Sequence, residues 1–242
     1  MKTIYKRTTP NYMTLYVQQN RQHIQDLRNP DSRERARTVL NDKFDNNPDK
    51  DDLRKDLAED QGYLCCYCMR AISLETGSTK IEHWGARRAY PELILTFNNL
   101  LLACDGGENG GTELHCDSSR HDLDLYIDPL NPGFCENVIE YNSKGDILIR
   151  EKIQDRKRLS TEINDVLNLN TKTLQDGRLK ALQGLTQSFA KVGDWSLNTL
   201  ERELSRLSFM DKPEDRGRNK KLPQFYGVLV FYLKKKIAAK QA

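Results

Sequence analysis

The sequence predicts an α+β fold, mostly helical, in which a cysteine-stapled core of short strands and turns lies between N- and C-terminal helical regions. Three observations predict it. Cys65, Cys68, Cys104 and Cys116 fall in a segment rich in Gly, Cys and Asn and poor in long periodic patterns. Apolar residues at helical intervals recur on both sides of that segment. Two short apolar runs, at 138–141 and 147–149, flank the turn Asn142-Ser143-Lys144-Gly145 and read as a β-hairpin. The chain accordingly divides into an N-terminal helical region at 1–60, a core at 61–131, and a β-hairpin with a C-terminal helical region at 132–242.

The N-terminal region begins with a short extended stretch ending at Pro10, followed by Leu15, Ile24 and Leu27 on helix-compatible spacing. Asn29-Pro30-Asp31-Ser32 breaks that segment and caps the next helix, which runs to about Phe44. Asn46-Asn47-Pro48-Asp49 is a second turn, and Leu53 and Leu57 mark a short helix leading to Gly62. In the core, the loop at 105–111 carries four glycines but lacks the Lys-Ser/Thr ending of a phosphate-binding loop, so it reads as a spacer. Beyond the hairpin, Leu159, Ile163, Val166, Leu167 and Leu169 form one apolar stripe, and Leu174, Leu179, Leu182 and Leu185 continue it. Leu197, Leu200, Leu204 and Leu207 mark another helix, and Phe225, Leu229, Leu233 and Ile237, four apart, mark the last. These stripes face a core, although the last helix, with its lysine-rich end, is also a candidate partner-docking face.

At 242 residues the chain has room for one full core plus appended helices. Charged residues make up 30% and no apolar run approaches the roughly 20 residues of a membrane span, which excludes an integral membrane helix. The first residues lack the apolar segment of a secretory signal, so the expected location is cytoplasmic. In a reducing compartment, six clustered cysteines point to metal ligation before disulfides. The net charge of +3 is only mildly basic, but cations group locally: Arg87-Arg88; Arg216, Arg218, Lys220 and Lys221; and Lys234 to Lys236. Each group can neutralise phosphates or can be a solvated helix face, and nearness to a metal centre decides between the two.

Cys65-Cys66-Tyr67-Cys68 has the Cys-x-x-Cys spacing of a zinc knuckle, and Cys104 and Cys116 can complete a tetrahedral thiolate site. Cys66 points away from the metal in this reading, and Cys135 is a buried apolar residue outside the cluster. Eleven residues separate Cys104 from Cys116, so His115 and His121 stand as alternative fourth ligands.

Inside this zinc frame lie the reactive groups. Thr79 and Ile81 favour a strand that ends in Glu82-His83. At a strand end the chain can turn, so that Glu82 binds a metal while His83 reaches a water. Asp117 is a second hard oxygen ligand, a donor set suited to Mg²⁺ or Mn²⁺ with water and phosphate in the remaining positions. A neutral imidazole suits His83 to general-base work. Asn99 is placed to pin the loop that orients the histidine, and Arg120, one helical turn beyond Asp117, to hold a phosphate.

Taken in order, Cys-x-x-Cys, Ile81-Glu82-His83-Trp84, Asn98-Asn99-Leu100-Leu101-Leu102-Ala103-Cys104 and His115-Cys116-Asp117-Ser118-Ser119-Arg120 resemble the HNH (ββα-metal) endonucleases with a zinc ribbon, and within them the PtuB group. The match covers residues 61–131. It implies a ββα-metal core, one catalytic divalent ion held by Glu82 and Asp117, and His83 as general base. It also implies a nucleic-acid substrate, DNA or RNA, and a PtuA-like ATPase partner in Septu-type or retron-linked antiphage defence. Asp117 stands where His or Asn is common in such proteins, and Arg120 where Lys is. Two other readings are an RNA endonuclease, for example of transfer RNA, and a non-catalytic zinc-ribbon adaptor. The adjacent Glu82-His83 pair argues against the adaptor, which has no need of it.

Overall fold

The computed structural model describes residues 1–75, 77–111, 113–211 and 221–241. After an extended start the chain runs through four helices, α1 (Asn11–Gln19), α2 (Arg21–Asp26), α3 (Pro30–Asp45) and α4 (Lys50–Asp60). Asn29 caps α3 by accepting from the Asp31 N–H at 3.0 Å, and Pro30 occupies the first turn, where its missing N–H costs nothing. Leu15 departs from expectation. It is 56% exposed while Met13 is fully buried, because the helix breaks at Asn20 and α1 and α2 share no continuous stripe.

The middle of the chain folds as strand, strand, helical turn. β1 (Thr79–His83) and β2 (Leu100–Cys104) pair antiparallel, with Thr79 opposite Cys104 and His83 opposite Leu100. α5 (Asp117–Arg120) is a single turn entered through Cys116 at φ 59°. Every residue of β2 is buried, and its two faces serve different cores. Leu100 and Leu102 pack with Met13, Leu40, Phe44, Leu53 and Leu57 of the N-terminal helices. Leu101 and Ala103, and Cys104 where the strand ends, belong to the cluster that holds the other cysteines and the C-terminal helices. The period-two alternation of a strand thus sandwiches the hairpin between both flanks. At about 1.5–3 kcal/mol per buried Leu side chain, this fixes its position firmly.

α6 (Phe134–Val138) leads into β3 (Ile139–Tyr141) and β4 (Ile147–Ile149), the expected hairpin, with Ile139 opposite Ile149. α7 (Arg156–Thr161) continues into a π-helical turn (Glu162–Val166), and α8 (Lys172–Val192), α9 (Leu197–Met210) and α10 (Tyr226–Gln241) follow. The π turn aims Glu162 inward, where its carboxylate accepts the N–H groups of Tyr126 and Ile127 at 2.9 Å. Phe225, Leu229, Leu233 and Ile237 are all buried, and α10 packs on α8, α9 and β3. The stripe of the last helix is therefore used within the chain's own core. The clustered cysteines and the C-terminal helices share one hydrophobic cluster, so the composition change near residue 131 does not divide that core. No described helix is long and apolar enough to cross a membrane.

Candidate metal centre and active site

The Cys65 Sγ lies 3.8 Å from the Cys116 Sγ, and the Cys68 Sγ lies 3.8 Å from the Cys104 Sγ. All four sulfurs lie within 4.8 Å of one another and are buried. A tetrahedron with Zn–S bonds of about 2.3 Å has edges of about 3.8 Å, so the set could hold a metal ion such as zinc. Local folding explains the approach. The knuckle closes through Cys65 N–H to Arg70 O and Met69 N–H to Cys65 O, and Cys116 is fixed by its N–H to Leu167 O at 2.8 Å. Burial opposes charge on Cys65 and Cys116 alike. Hydrogen bonds from Cys104 and Cys116 nevertheless hold the Cys65 thiol well below its usual range, while Cys116 is pushed well above. Thiols this close cannot all ionise unless a cation balances them, which is the chemistry of a thiolate metal site.

His115 and His121 are not in the four-residue group that could hold the ion. The His115 Nδ1 sits 3.1 Å from the Cys116 Sγ, a neighbour to the sulfur, and His121 is exposed on a separate cleft. Cys135 is buried outside the cluster.

Glu82 and His83 close β1, and as strand neighbours they diverge. Glu82 turns toward the knuckle, where its Oε1 accepts from the Tyr67 hydroxyl at 2.7 Å and from the Arg120 guanidinium. His83 turns toward the N-terminal helices, edge-on to Phe44 with ring centroids 4.5 Å apart. Because the strand ends here, both side chains still border one cleft of about 560 Å³, with Asp117. Burial, and after it the adjoining Asp117 carboxylate, push the Glu82 carboxyl up to about 8 against the pull of Arg120 and Tyr67. Two carboxylates brought together in one cleft are a fitting donor pair for a hard divalent cation. Burial, then the Arg87 guanidinium, lower the His83 pKa to about 3, so its imidazole is neutral. The His83 Nε2 lies 3.0 Å from the Ile94 carbonyl, which can only accept. Nε2 is therefore assigned the proton, and Nδ1 the lone pair.

Asn99 holds the turn after His83. Its Oδ1 accepts from the Gly85 N–H at 2.7 Å, its Nδ2 donates to Gly85 O at 3.1 Å, and its own carbonyl accepts from the Trp84 N–H at 2.8 Å. Gly85 meets the Asn99 oxygen and the Tyr90 ring so closely that an added Cβ would lie 3.0–3.3 Å from them.

Arg120 requires a correction. It is expected to hold phosphate, but its side chain is 1% exposed. It bonds Glu82 and Tyr67 and donates to the carbonyls of Trp84 at 2.6 Å and Leu123 at 2.8 Å. Burial and this use of its donors make it a brace for Glu82 and the end of β1.

The same cleft is lined by Arg37, Asn41 and Asp45 of α3 and by Arg87, Arg88 and His121. Sequence reading noted Arg87-Arg88 and missed the α3 residues. Spaced four apart, Arg37, Asn41 and Asp45 form a polar helix face that nothing in the sequence separates from a solvated one. Tyr67, which links the knuckle to Glu82, was also missed. Its signal was its place between two zinc-type cysteines. Of the other basic groups, Lys234 to Lys236 lie on exposed α10 surface, Lys221 is exposed, and Arg216, Arg218 and Lys220 fall outside the described residues. No family model matches this chain, and no curated protein is similar to it.

Proposed function

We propose that the protein is a metal-dependent endonuclease that hydrolyses nucleic-acid phosphodiester bonds, with an HNH-type ββα-metal centre. One observation carries the reading: the Glu82 and Asp117 carboxylates meet beside a neutral His83 in a cleft bordered by Arg37, Arg87 and Arg88. Glu82 and Asp117 would hold one Mg²⁺ or Mn²⁺, which when bound stabilises charge on the phosphate and the leaving oxygen. His83 takes a proton from the attacking water at Nδ1, the nitrogen its Ile94 contact leaves unprotonated. The Ile94 carbonyl orients that ring, and Asn99 pins the turn that follows it. The four-cysteine site, with zinc, anchors the knuckle from which Tyr67 orients Glu82. The arginine-rimmed cleft suits the backbone of DNA or RNA equally, since phosphate contacts carry no sequence information.

A nicking assay on DNA and RNA with added Mg²⁺ or Mn²⁺ tests this reading. Wild type should cleave, and His83→Ala should lose about two orders of magnitude or more while keeping its melting curve and zinc content. Full activity in His83→Ala removes the HNH assignment. Absence of metal-dependent cleavage by wild type, alone and with its partner, leaves the zinc-ribbon adaptor. The partner is proposed to be the PtuA-like ATPase of an antiphage defence complex, as the motif resemblance implies.

A further inference from the structure

We infer that Arg87 receives the substrate phosphate and that, in doing so, it uncovers the nitrogen His83 needs as a base. The inference rests on the endonuclease reading. In the structure the Arg87 Nε donates to His83 Nδ1 at 3.2 Å. A guanidinium has only donors, so this contact occupies the lone pair that a water's proton would need. The capped histidine cannot act while Arg87 stays in place.

Arg87 is built to move only slightly. Its Nη1 is held by α3 through Asp45 at 3.1 Å and, more weakly, Asn41 at 3.5 Å, and its guanidinium carbon lies 4.7 Å from the Phe44 ring centre. The side chain is about one-third exposed, and among the described residues its Nη2 has no hydrogen-bond partner. The Nε–Nη2 edge is one of the two forks by which arginine grips a phosphate with paired hydrogen bonds. A phosphate seated on that edge competes with His83 for the Nε proton, while Nη1 keeps its grip on α3. Arg120 cannot take this part, because its guanidinium is buried against Glu82 and the backbone. Exposure of the base is thus tied to occupancy of the cleft, and an empty site is held idle by its own substrate-binding arginine.

The test reads the imidazole nitrogen directly. The chain has four histidines, and the ¹⁵N resonance of His83 Nδ1 can be assigned by its loss in His83→Gln. The zinc-loaded protein is titrated with a short DNA or RNA oligonucleotide without added Mg²⁺ or Mn²⁺, so that nothing is cut. In wild type Nδ1 should shift from a hydrogen-bonded toward a free position as the oligonucleotide binds. Arg87→Ala should show the free position from the start. In the nicking assay Arg87→Ala should raise KM about tenfold or more, the usual effect of losing a charge-assisted contact, with a smaller fall in kcat than His83→Ala. Binding and cleavage by wild type with no movement of Nδ1, or an unchanged KM in Arg87→Ala, overturns the inference and spares the nuclease. If wild type neither binds nor cleaves either nucleic acid, the nuclease reading fails and this inference fails with it.

Discussion

At the scale of single residues, the proposed chemistry turns on how burial and neighbouring charges set the protonation of Glu82. Glu82 sits in a buried strand end with Asp117 against it and is pushed up to about 8, far above an ordinary carboxyl near 4.3. Between those two values the folded protein keeps a proton that the unfolded chain has released. The stability this group contributes is therefore complete below the unfolded value and lost as pH rises through about 8. A cation has the opposite preference, since it needs the carboxylate. Calorimetric titration of Mn²⁺ into the zinc-loaded protein at pH 7, in two buffers of different ionisation enthalpy, should show close to one proton released. Affinity should climb toward pH 8. Binding without proton release would remove Glu82 from the ligands. Glu82, His83 and Asp117 stood out in the sequence by their types and order, and the structure brings all three to one cleft. Arg120 was legible as important but not in its task. A guanidinium offers the same donors to a phosphate or to buried carbonyls, and only burial separates the two.

Among elements, the hairpin at 139–149 and the helix starts at Asn29, Thr171 and Ser196 carry their own local signals, in turn and capping residues. The π turn at Glu162 carries none, because its cause is a distant pair of backbone N–H groups at Tyr126 and Ile127. The knuckle lies between these cases: its spacing predicted the thiolate set, while its coupling to the C-terminal helices is purely tertiary. That coupling sets the expected outcome of losing a ligand. In Cys65→Ser or Cys68→Ser about one zinc per chain should be lost, and because binding of a structural zinc is largely folding energy, the protein should be insoluble or melt far lower. The damage should reach α8–α10, which share a hydrophobic cluster with the cysteines. Metal analysis and thermal melting check this, and an unchanged melting curve with stoichiometric zinc in either variant would show that the cysteines do not hold a structural metal.

For the whole molecule, the helical flanks do more than surround the core. β2 reads in sequence as an unbroken apolar run, which signals burial of both faces but not what covers each. The structure assigns one face to the N-terminal helices and the other to the C-terminal ones, and it brings α3 to the cleft wall. It also changes how the proposed ATPase partner can be sought. Removing the last helix from Leu222 onward, a natural choice while its stripe looked available for docking, takes out Phe225, Leu229, Leu233 and Ile237 from the shared core. Losing several large buried side chains, each worth about 2–5 kcal/mol, exceeds the stability of an ordinary domain, so the truncated chain should be unfolded whether or not a partner binds there. The outer side of α10 keeps a usable feature. Phe231, Tyr232, Lys235 and Lys236 border a groove of about 640 Å³ with Leu148 and Leu182. Reversing charge at its rim with Lys235→Glu and Lys236→Glu removes no buried contact, because both lysines are exposed. The doubly substituted protein should keep its zinc, its melting curve and its cleavage activity. If the ATPase docks on this groove, it should no longer copurify; full copurification would place the dock on another face of the molecule.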